Sequence, residues 1–502
     1  METIEWQDVQ RIVLSGYPRL PSSAYVLWRF KSVDRVLKKQ WLAELVKKLA
    51  PAVPDDPGKP AINLALTASG LRHLGIAEPE LNSFSLEFIE GMAPRPASKT
   101  HIPRRTNILG DLGASSPACW DWGGWNRHSD IDGLLLLFAT DETSLKELIR
   151  SEEKQLDRVA ERDPIVLRGR FFPELREHFG YVDGLSQPKI EGRPKREKNN
   201  GEKNNGEKNK APEKDNRFRI KPGMEVKPGE FLLGYPNERR ARVTNGQGRD
   251  IRRNGTYLVF RQLEQDVAAF NAFLSDAAKR IGEDEEWVAA RLLGRWRNGD
   301  PLVAGSPAAQ AANLKELDAK AADAKGPDAK TVDAGESDAK PADLKNRFLY
   351  HYEDRSGLTC PIGAHIRRAN PRDSLGPDPE TALRLSKMHR IIRRGRPYGE
   401  RLPPDAPNPD GAERGMLFIA LNADIAGQFE MIQHSWLNNP HFNGLYTGTD
   451  PISHFSDDEV ITIQNRPANL QIRRPAPFVR VRGGAYFFLP GLRALQDIAA
   501  SA

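Results

Sequence analysis

Short apolar runs alternate with segments of helical hydrophobic spacing in both halves of the chain. The apolar runs predict strands at Tyr25–Phe30, Ala61–Leu66, Leu134–Ala139, Thr256–Phe260 and Met416–Leu421. The amphipathic segments predict helices, one carrying Leu37, Trp41, Leu42 and Leu45, one over Thr67–Gly75, one beginning near Thr143, and two over Asp266–Arg280 and Ile425–Trp436. Strands and helices that alternate in two groups predict an α+β fold of two domains, each with a mostly antiparallel sheet. Two tandem split-βαβ units fit this pattern.

Two segments lack any apolar periodicity. Residues 191–216 contain the repeat NNGEKNNGEK, and residues 305–346 carry Asp-Ala-Lys at Asp318, Asp323, Asp328 and Asp338, a five-residue period that is broken at Asp333. A period of five matches neither a helix nor a strand, so neither segment can bury enough surface to offset its ordering entropy. We expect both to be solvated insertions, although a binding tail that folds on a partner remains an alternative. They divide the chain into an N-terminal domain, 1–190, and a C-terminal domain, 217–502.

Charge and cysteine content exclude several classes of protein. The 502 residues carry a formal net charge of +6, yet the stretch from Lys189 to Arg219, with 11 basic and 6 acidic residues, accounts for +5 of it. A nucleic-acid-binding face needs its basic residues on folded structure, so no nucleic acid partner is expected. Two distant cysteines, Cys119 and Cys360, cannot build a disulfide framework or a four-thiolate metal site. With no readable export signal and no apolar run of membrane-spanning length, we expect a soluble, cytoplasmic protein without membrane contact.

One histidine lies in a sequence context typical of a ligand. The segment 360–372, CPIGAHIRRANPR, places His365 after a turn and before an arginine-rich stretch. A second histidine at metal-binding spacing is missing, so zinc is poorly supported. A single imidazole suits haem iron, whose in-plane bonds come from the porphyrin, and Arg367, Arg368 and Arg372 could pair with its propionates. The alternative is an ordinary loop histidine.

Two further segments carry groups suited to peroxide chemistry. In GYVDG, residues 180–184, glycines flank Asp183, and Gly184 would let the backbone approach a flat ligand. In MHRIIRRGRPY, residues 388–398, an apolar pair precedes Arg393 in a predicted strand that ends in a tight bend at Gly395. Splitting hydrogen peroxide requires a proton shuttle and a cation beside the departing hydroxide, which an aspartate and an arginine supply. The alternatives are a plain Asx turn and an exposed basic strand end.

Taken together, GxxDG with Asp183, CPIGAHIRRANPRD with His365, and HRIIRRGRPYG resemble the dye-decolorizing peroxidases, most closely their long bacterial and fungal-type branch. The stretches LSGYPRLPSSAYVLWRF, NLALTASGLRHLG and RGMLFIALNADIAGQFEMIQHSWLNNPHFNGLY extend the resemblance over nearly all of the chain outside the two insertions. The resemblance implies two tandem ferredoxin-like domains, with haem b bound in the C-terminal one. Some members have an asparagine two residues after the distal arginine, where this chain has Gly395.

The resemblance also assigns roles to individual residues. It implies that His365 is the proximal iron ligand, Asp183 the distal acid–base residue and Arg393 the distal arginine, with Arg367 and Gly184 among the haem-binding residues. A carboxylate partner for His365 is expected, with Asp450 as the first candidate and Asp424 as the second. A thiolate ligand from Cys360 is a less favoured alternative.

The implied activity is a haem peroxidase that uses hydrogen peroxide to oxidise dyes, phenols and similar organic reductants through an oxyferryl intermediate. The alternative is a haem-binding or iron-handling protein without peroxidase turnover. A carrier needs no proton shuttle, so the presence of both Asp183 and Arg393 favours the enzyme. The natural reductant, the oligomeric state and the surface aromatic residues that relay electrons are not defined by the sequence.

Overall fold

The computed structural model describes residues 3–53, 58–98, 101–126, 130–161, 163–194, 225–242, 250–303, 346, 348–403, 410–454 and 459–501. Most of the first predicted insertion, 195–216, and nearly all of the second, 305–345, lie outside the described residues. Asn346, at the end of the second predicted insertion, is buried.

A single nine-stranded sheet organises the molecule. Its strands are β1 (Ser22–Trp28), β2 (Ala61–Leu66), β3 (Gly133–Ala139), β4 (Ile165–Arg170), β7 (Thr256–Gln265), β8 (Ile392–Arg393), β9 (Arg396–Tyr398), β10 (Gly415–Asn422) and β13 (Val479–Leu489). Two small sheets pair β5 (Lys189–Ile190) with β6 (Glu225–Val226), and β11 (Glu459–Ile463) with β12 (Leu470–Arg474).

The nine strands fall into two groups with the same order. The sheet runs β4-β1-β3-β2-β13-β7-β10-β8, with β9 also paired to β10, and every pairing in it is antiparallel. When β8 and β9 are counted as one interrupted strand, each half has four strands, and their order across the sheet is fourth, first, third, second. Leu66 of β2 pairs with Phe488 of β13 and joins the halves. This arrangement confirms the predicted α+β class with a mostly antiparallel sheet.

The two faces of the sheet bury different cores. Along β3, Leu135 and Leu137 pack into a core shared with helices, whereas Leu134 and Leu136 belong to a second core. In this second core Tyr25 of β1 stacks on a residue of β7, Phe260, with ring centroids 5.3 Å apart. Because β1 and β7 are separated by three strands in the sheet, this contact requires the sheet to curl around the second core.

The described residues form twelve α-helices, most of which contribute apolar residues to the core on one face of the sheet. They are α1 (Arg35–Val46), α2 (Ala68–His73), α3 (Glu78–Leu81), α4 (Leu86–Glu90), α5 (Arg104–Leu109), α6 (Glu142–Leu156), α7 (Val267–Ile281), α8 (Glu285–Leu293), α9 (Tyr350–Glu353), α10 (His365–Ala369), α11 (Pro379–Lys387) and α12 (Leu492–Ala500). Aspartate side chains accept hydrogen bonds from backbone amides at the starts of α1, α6, α7 and α8, which stabilises these ends. Among the described residues, no helix is long and apolar enough to cross a bilayer.

The predicted strands are present, and two other predicted elements differ from the prediction. The expected helix over Ile425–Trp436 consists of two π-helical segments, Ile425–Glu430 and Ile432–Leu437. The expected single strand in 388–398 is two short strands, β8 and β9, because the chain bends between them at Gly395. A Cβ at Gly395 would lie 2.7 Å from the carbonyl oxygen of Leu417 on β10, so this position has no room for a side chain.

Candidate functional site

His365 is the first residue of the short helix α10, which follows the turn formed by Pro361–Ala364. Its Nδ1 lies 3.1 and 3.0 Å from the two carboxylate oxygens of Asp450. Because an ionised carboxylate only accepts hydrogen bonds, Nδ1 carries the proton in this arrangement. The other ring nitrogen, Nε2, has no hydrogen-bond partner in the described part of the chain, and 27% of the side chain is exposed.

Asp450 is a fully buried carboxylate held by several donors. Its Oδ1 accepts hydrogen bonds from the backbone amides of Ile452 and Ser453, at 3.0 and 2.7 Å, and from the Ser453 hydroxyl at 2.9 Å. Burial would raise the pKa of Asp450, but His365 and these donors lower it well below its ordinary value. The carboxylate therefore stays ionised and fixes the orientation of the His365 ring.

The two other groups considered beside His365 are used elsewhere or are inert. Asp424 accepts a hydrogen bond from the backbone amide of Gly427 at 2.8 Å and caps the first π-helical segment. Cys360 is buried, and burial raises the pKa of its thiol to about 12. A protonated thiol is a poor metal ligand, so the geometry favours His365 over Cys360.

The GYVDG loop brings Asp183 to Arg393. The Nη1 of Arg393 lies 3.2 Å from Oδ1 of Asp183, and both side chains are partly exposed, at 38% and 37%. The same oxygen accepts a hydrogen bond from the amide of Gly184 at 2.6 Å. Gly180 and Gly184 adopt φ values of +93° and +79°, which favour glycine. A Cβ at Gly184 would meet no atom of the described chain within 4 Å, so open space borders the loop here.

Gln187 is a residue of this site that the sequence analysis missed. Its Oε1 accepts a hydrogen bond from the backbone amide of Arg393 at 3.0 Å, and its Nε2 donates to the carbonyl of Arg393 at 3.1 Å. Gln187 follows Asp183 by four residues, so one segment contacts both the side chain and the backbone of Arg393. The only sequence signal was its place next to GYVDG.

A loop after α8 links the His365 helix to the Asp183 loop. A Cβ at Gly294 would lie 2.5 Å from the side chain of Ile366, and one at Gly299 would lie 2.4 Å from that of Leu185. Asn346 adds a polar link, since its Nδ2 donates to the Leu185 carbonyl at 2.6 Å. The structure therefore packs the elements carrying the His365–Asp450 and Asp183–Arg393 pairs against one intervening loop.

Three arginines expected near cofactor carboxylates are occupied by protein acceptors instead. Arg367 is fully buried and binds Asp354 at 3.1 Å and the carbonyl of Cys360 at 2.7 Å. Arg368 binds three carbonyls within 2.9 Å, in Trp436, Asn439 and Gly448. Arg372 binds the carbonyls of Asn346 and Phe348 at 2.8 and 3.0 Å. These three arginines, although close to His365 in sequence, therefore donate their hydrogen bonds to protein acceptors.

The donor set fits haem better than a free metal ion. No group of three or more His, Cys, Asp or Glu residues able to hold a metal ion occurs in the described ranges. A single histidine with a carboxylate on Nδ1 and an unpaired Nε2 matches the ligation of haem iron. The partly exposed Asp183–Arg393 pair and the open space at Gly184 leave polar groups and room for such a ligand. His365, oriented by Asp450, would hold the iron.

Comparison with curated proteins identifies relatives over most of the chain. Peroxidase 2 of Mycetinis scorodonius is 28% identical over 464 residues, which cover 87% of this chain and 76% of the relative. The multifunctional dye peroxidase DyP2 of Amycolatopsis sp. is 28% identical over 463 residues, covering 88% and 82%. No protein-family model matches the chain.

Solved structures share the fold over almost the whole chain. The DyP-type peroxidase of Anabaena sp. superposes with a TM-score of 0.72 at 23% identity, covering 98% of this chain and 94% of that one. A fungal DyP-type peroxidase from Auricularia auricula-judae gives a TM-score of 0.72 at 23% identity, with complete coverage of both chains. This chain is therefore similar in sequence to dye-decolorizing peroxidases over most of its length, and it shares the fold of DyP-type peroxidases.

Proposed function

We propose that this protein is a haem peroxidase that uses hydrogen peroxide to oxidise dyes and phenols. The observation that carries the proposal is the presence of both polar pairs, His365–Asp450 and Asp183–Arg393, in a chain with the fold of DyP-type peroxidases. Its relatives include a multifunctional dye peroxidase, and a dye-decolorizing peroxidase of the same fold has been solved with 2,6-dimethoxyphenol. A phenol of this kind is the substrate class we assign to this chain.

The proposed cofactor is haem b, with Nε2 of His365 as the iron ligand. The strand order supports two tandem ferredoxin-like domains, since each half of the sheet has the order 4-1-3-2 of its own strands. We assign residues 1–190 to the first domain and 217–502 to the second, which contains His365 and Asp450. Asp183 belongs to the first domain, so the catalytic pair with Arg393 joins the two.

The proposed mechanism uses Asp183 as a base and Arg393 as a fixed positive charge. Oδ1 of Asp183 is bound by Arg393 and by the amide of Gly184, whereas Oδ2 has no partner among the described residues. Oδ2 is therefore the atom that takes a proton from one oxygen of peroxide and returns it to the other. The guanidinium of Arg393 stabilises the negative charge that develops on the departing oxygen, which takes up the returned proton and leaves as water. Haem bound through His365 would supply the redox chemistry of this cleavage.

His365 and Asp450 would hold the cofactor for this chemistry. The buried carboxylate of Asp450 accepts a hydrogen bond from the Nδ1–H group of His365, which makes the imidazole a stronger donor through Nε2. The contacts of Nδ1 with both carboxylate oxygens of Asp450 also keep the imidazole ring from rotating. A carrier of haem would need such a histidine but no proton-transfer pair, and the ion pair of Asp183 with Arg393 therefore favours the enzyme over the alternative of a haem-handling protein.

The test is the absorption spectrum of the haem-loaded protein with and without peroxide, followed by oxidation of 2,6-dimethoxyphenol. We expect a Soret band that changes within seconds of adding peroxide and returns as the phenol is consumed. A Soret band that peroxide leaves unchanged would establish the carrier instead. Absence of any Soret band after reconstitution with haem would overturn both functions.

A further inference from the structure

Arg390 differs from the other arginines around it. The other buried or half-buried arginines between residues 367 and 394 each donate to carbonyls or carboxylates, namely Arg367, Arg368, Arg372, Arg393 and Arg394. The guanidinium of half-buried Arg390 has no hydrogen bond and no ion pair within the described residues. Five donors on a half-buried cation thus lack an acceptor.

The backbone at Arg390 is nevertheless held firmly. Its carbonyl accepts a hydrogen bond of 2.5 Å from Nε2 of Gln428. The preceding residue, His389, is bound through Nδ1 to the carbonyl of Gly427, also at 2.5 Å. Arg390 therefore leaves a fixed stretch of chain, and its lack of partners does not come from a loose segment.

The charges nearest Arg390 have the same sign. Burial and the positive charges of Arg372 and Arg393 lower the pKa of Arg390 to about 9. Arg393 is neutralised in part by Asp183, and the charge of Arg372, which donates hydrogen bonds to carbonyls, is offset in part by Asp373 and Glu353. Burying like charges together is costly unless an anion joins them. The guanidinium of Arg390 is the one of these three that has no carboxylate or carbonyl partner among the described residues, so a negatively charged ligand would stabilise it.

We propose that Arg390 is a carboxylate-binding residue that receives a haem propionate. This rests on the proposed function, because haem is the ligand that would bring carboxylates close to Arg393. A planar guanidinium binds a carboxylate through two parallel hydrogen bonds, which the unpaired donors of Arg390 allow. Arg390 takes the propionate-binding role that the sequence had suggested for Arg367 and Arg368, because the donors of those two arginines are bound to protein acceptors.

This assignment is tested by measuring the affinity of two proteins for two forms of haem, in all four combinations. Apoprotein of the wild type and of Arg390→Met is titrated with haem and with haem dimethyl ester, in which both carboxylates are blocked. Loss of a charge-assisted hydrogen bond predicts that Arg390→Met binds haem about 10- to 100-fold more weakly. Wild type and variant should bind the ester with the same affinity. Arg390→Lys, which keeps the charge, should recover part of the haem affinity.

The control is Arg384→Met on α11, which removes an exposed positive charge six residues away. It should bind both haems as the wild type does, and thermal melting should show all four proteins folded. Equal weakening of haem and ester in Arg390→Met, or unchanged haem binding, would overturn the propionate site alone. Failure of the wild type to bind haem would overturn the proposed function together with the site.

Discussion

The side-chain amide of Gln187 makes two hydrogen bonds to the backbone of Arg393. It accepts one from the Arg393 N–H at 3.0 Å and donates the other to the Arg393 carbonyl at 3.1 Å. The side chain of Gln187 thus makes the pair of hydrogen bonds to the short strand β8 that the backbone of a neighbouring strand would otherwise make. Because Asp183 lies four residues before Gln187, the contact fixes the distance between the chain carrying the proposed base and the chain carrying the proposed cation. The proposed catalytic pair is therefore held by the contact of Gln187 with the Arg393 backbone as well as by its own ion pair.

Replacing Gln187 should therefore slow catalysis without emptying the site. We expect Gln187→Ala to reduce the rate of reaction with peroxide by about 10-fold, since small misplacements of catalytic groups carry costs of this order. Haem content should stay at the wild-type level, because Gln187 contacts neither His365 nor Asp450. Stopped-flow absorbance after mixing with peroxide measures the rate. Gln471→Ala, on the exposed side of β12, is the matched control, and equal rates in both variants would contradict the role.

His365→Ala should lose most of its haem. The described residues offer no second histidine against Asp450, and the Cys360 thiol is buried and protonated. The pyridine haemochrome assay on purified protein measures the loss, and His434→Ala, which removes an exposed histidine, serves as the control. Full haem content with an unchanged spectrum in His365→Ala would rule out this ligand.

Asp450→Asn tests the partner of that histidine. The amide keeps the shape but removes the charge that strengthens the imidazole as a donor, so haem affinity should fall by about 10- to 100-fold. The reduction potential of the iron should rise, because a weaker donor stabilises the ferric state less. Spectroelectrochemical titration measures the potential. A potential equal to that of the wild type would show that Asp450 only fills space.

Strands could be predicted from the sequence where a short run of neighbouring residues is enough to define them. Runs such as Ala61–Leu66 are strands with the predicted bounds, since a continuous apolar run suffices to define a buried strand. The pairing of His365 with Asp450 came from family resemblance, as the two lie 85 residues apart. The sequence placed Arg367 among the haem-binding residues, but it could not predict the protein contacts of Arg367 or the lack of partners at the Arg390 guanidinium. Both are arginines in basic stretches, and only the folded chain decides which finds carbonyl acceptors and which is left without them.

Glu230 should make stability depend on pH. Burial, with the neighbouring charges of Glu238 and Asp424, raises the pKa of Glu230 from 4.5 to about 7. Between these values the folded protein keeps the proton that the unfolded chain has lost, so the free energy of unfolding falls as pH rises from 4.5 to 7. The expected fall due to this group is about 1–3 kcal/mol.

Glu230→Gln isolates this contribution. His178 acts in the opposite direction, because burial lowers its pKa to about 4 and makes stability rise with pH up to about 6.5. The informative quantity is therefore the free energy of unfolding of the wild type minus that of Glu230→Gln, measured in urea. This difference should decrease as the pH rises from 4.5 to 7. Glu147→Gln, exposed on α6, should show a constant difference. A constant difference for Glu230→Gln as well would contradict the assignment.

Substitutions of the two proposed catalytic residues should change the pH dependence of the reaction with peroxide in different ways. Asp183 must be ionised to take the proton of peroxide, whereas Arg393 stays charged throughout the working range. Asp183→Asn should slow the reaction with peroxide by about 10²–10⁴ and abolish the acidic limb of the pH–rate profile. Arg393→Leu should slow the same step by about 10²–10³, the usual cost of losing one charge-stabilising donor, and should leave that limb in place.

The structure offers a specific reason to trust Asn as the substitute at position 183. Asp183 uses only Oδ1 for its contacts with Arg393 and Gly184, so an asparagine with its oxygen at that position keeps both hydrogen bonds and the turn. What it loses is the second carboxylate oxygen, Oδ2, the proposed proton acceptor. Haem content and melting temperature of Asp183→Asn should thus match the wild type while the rate falls. If Asp183→Asn reacts at the wild-type rate across acid pH and Arg393→Leu is inactive, the arginine carries the chemistry and Asp183 only shapes the loop.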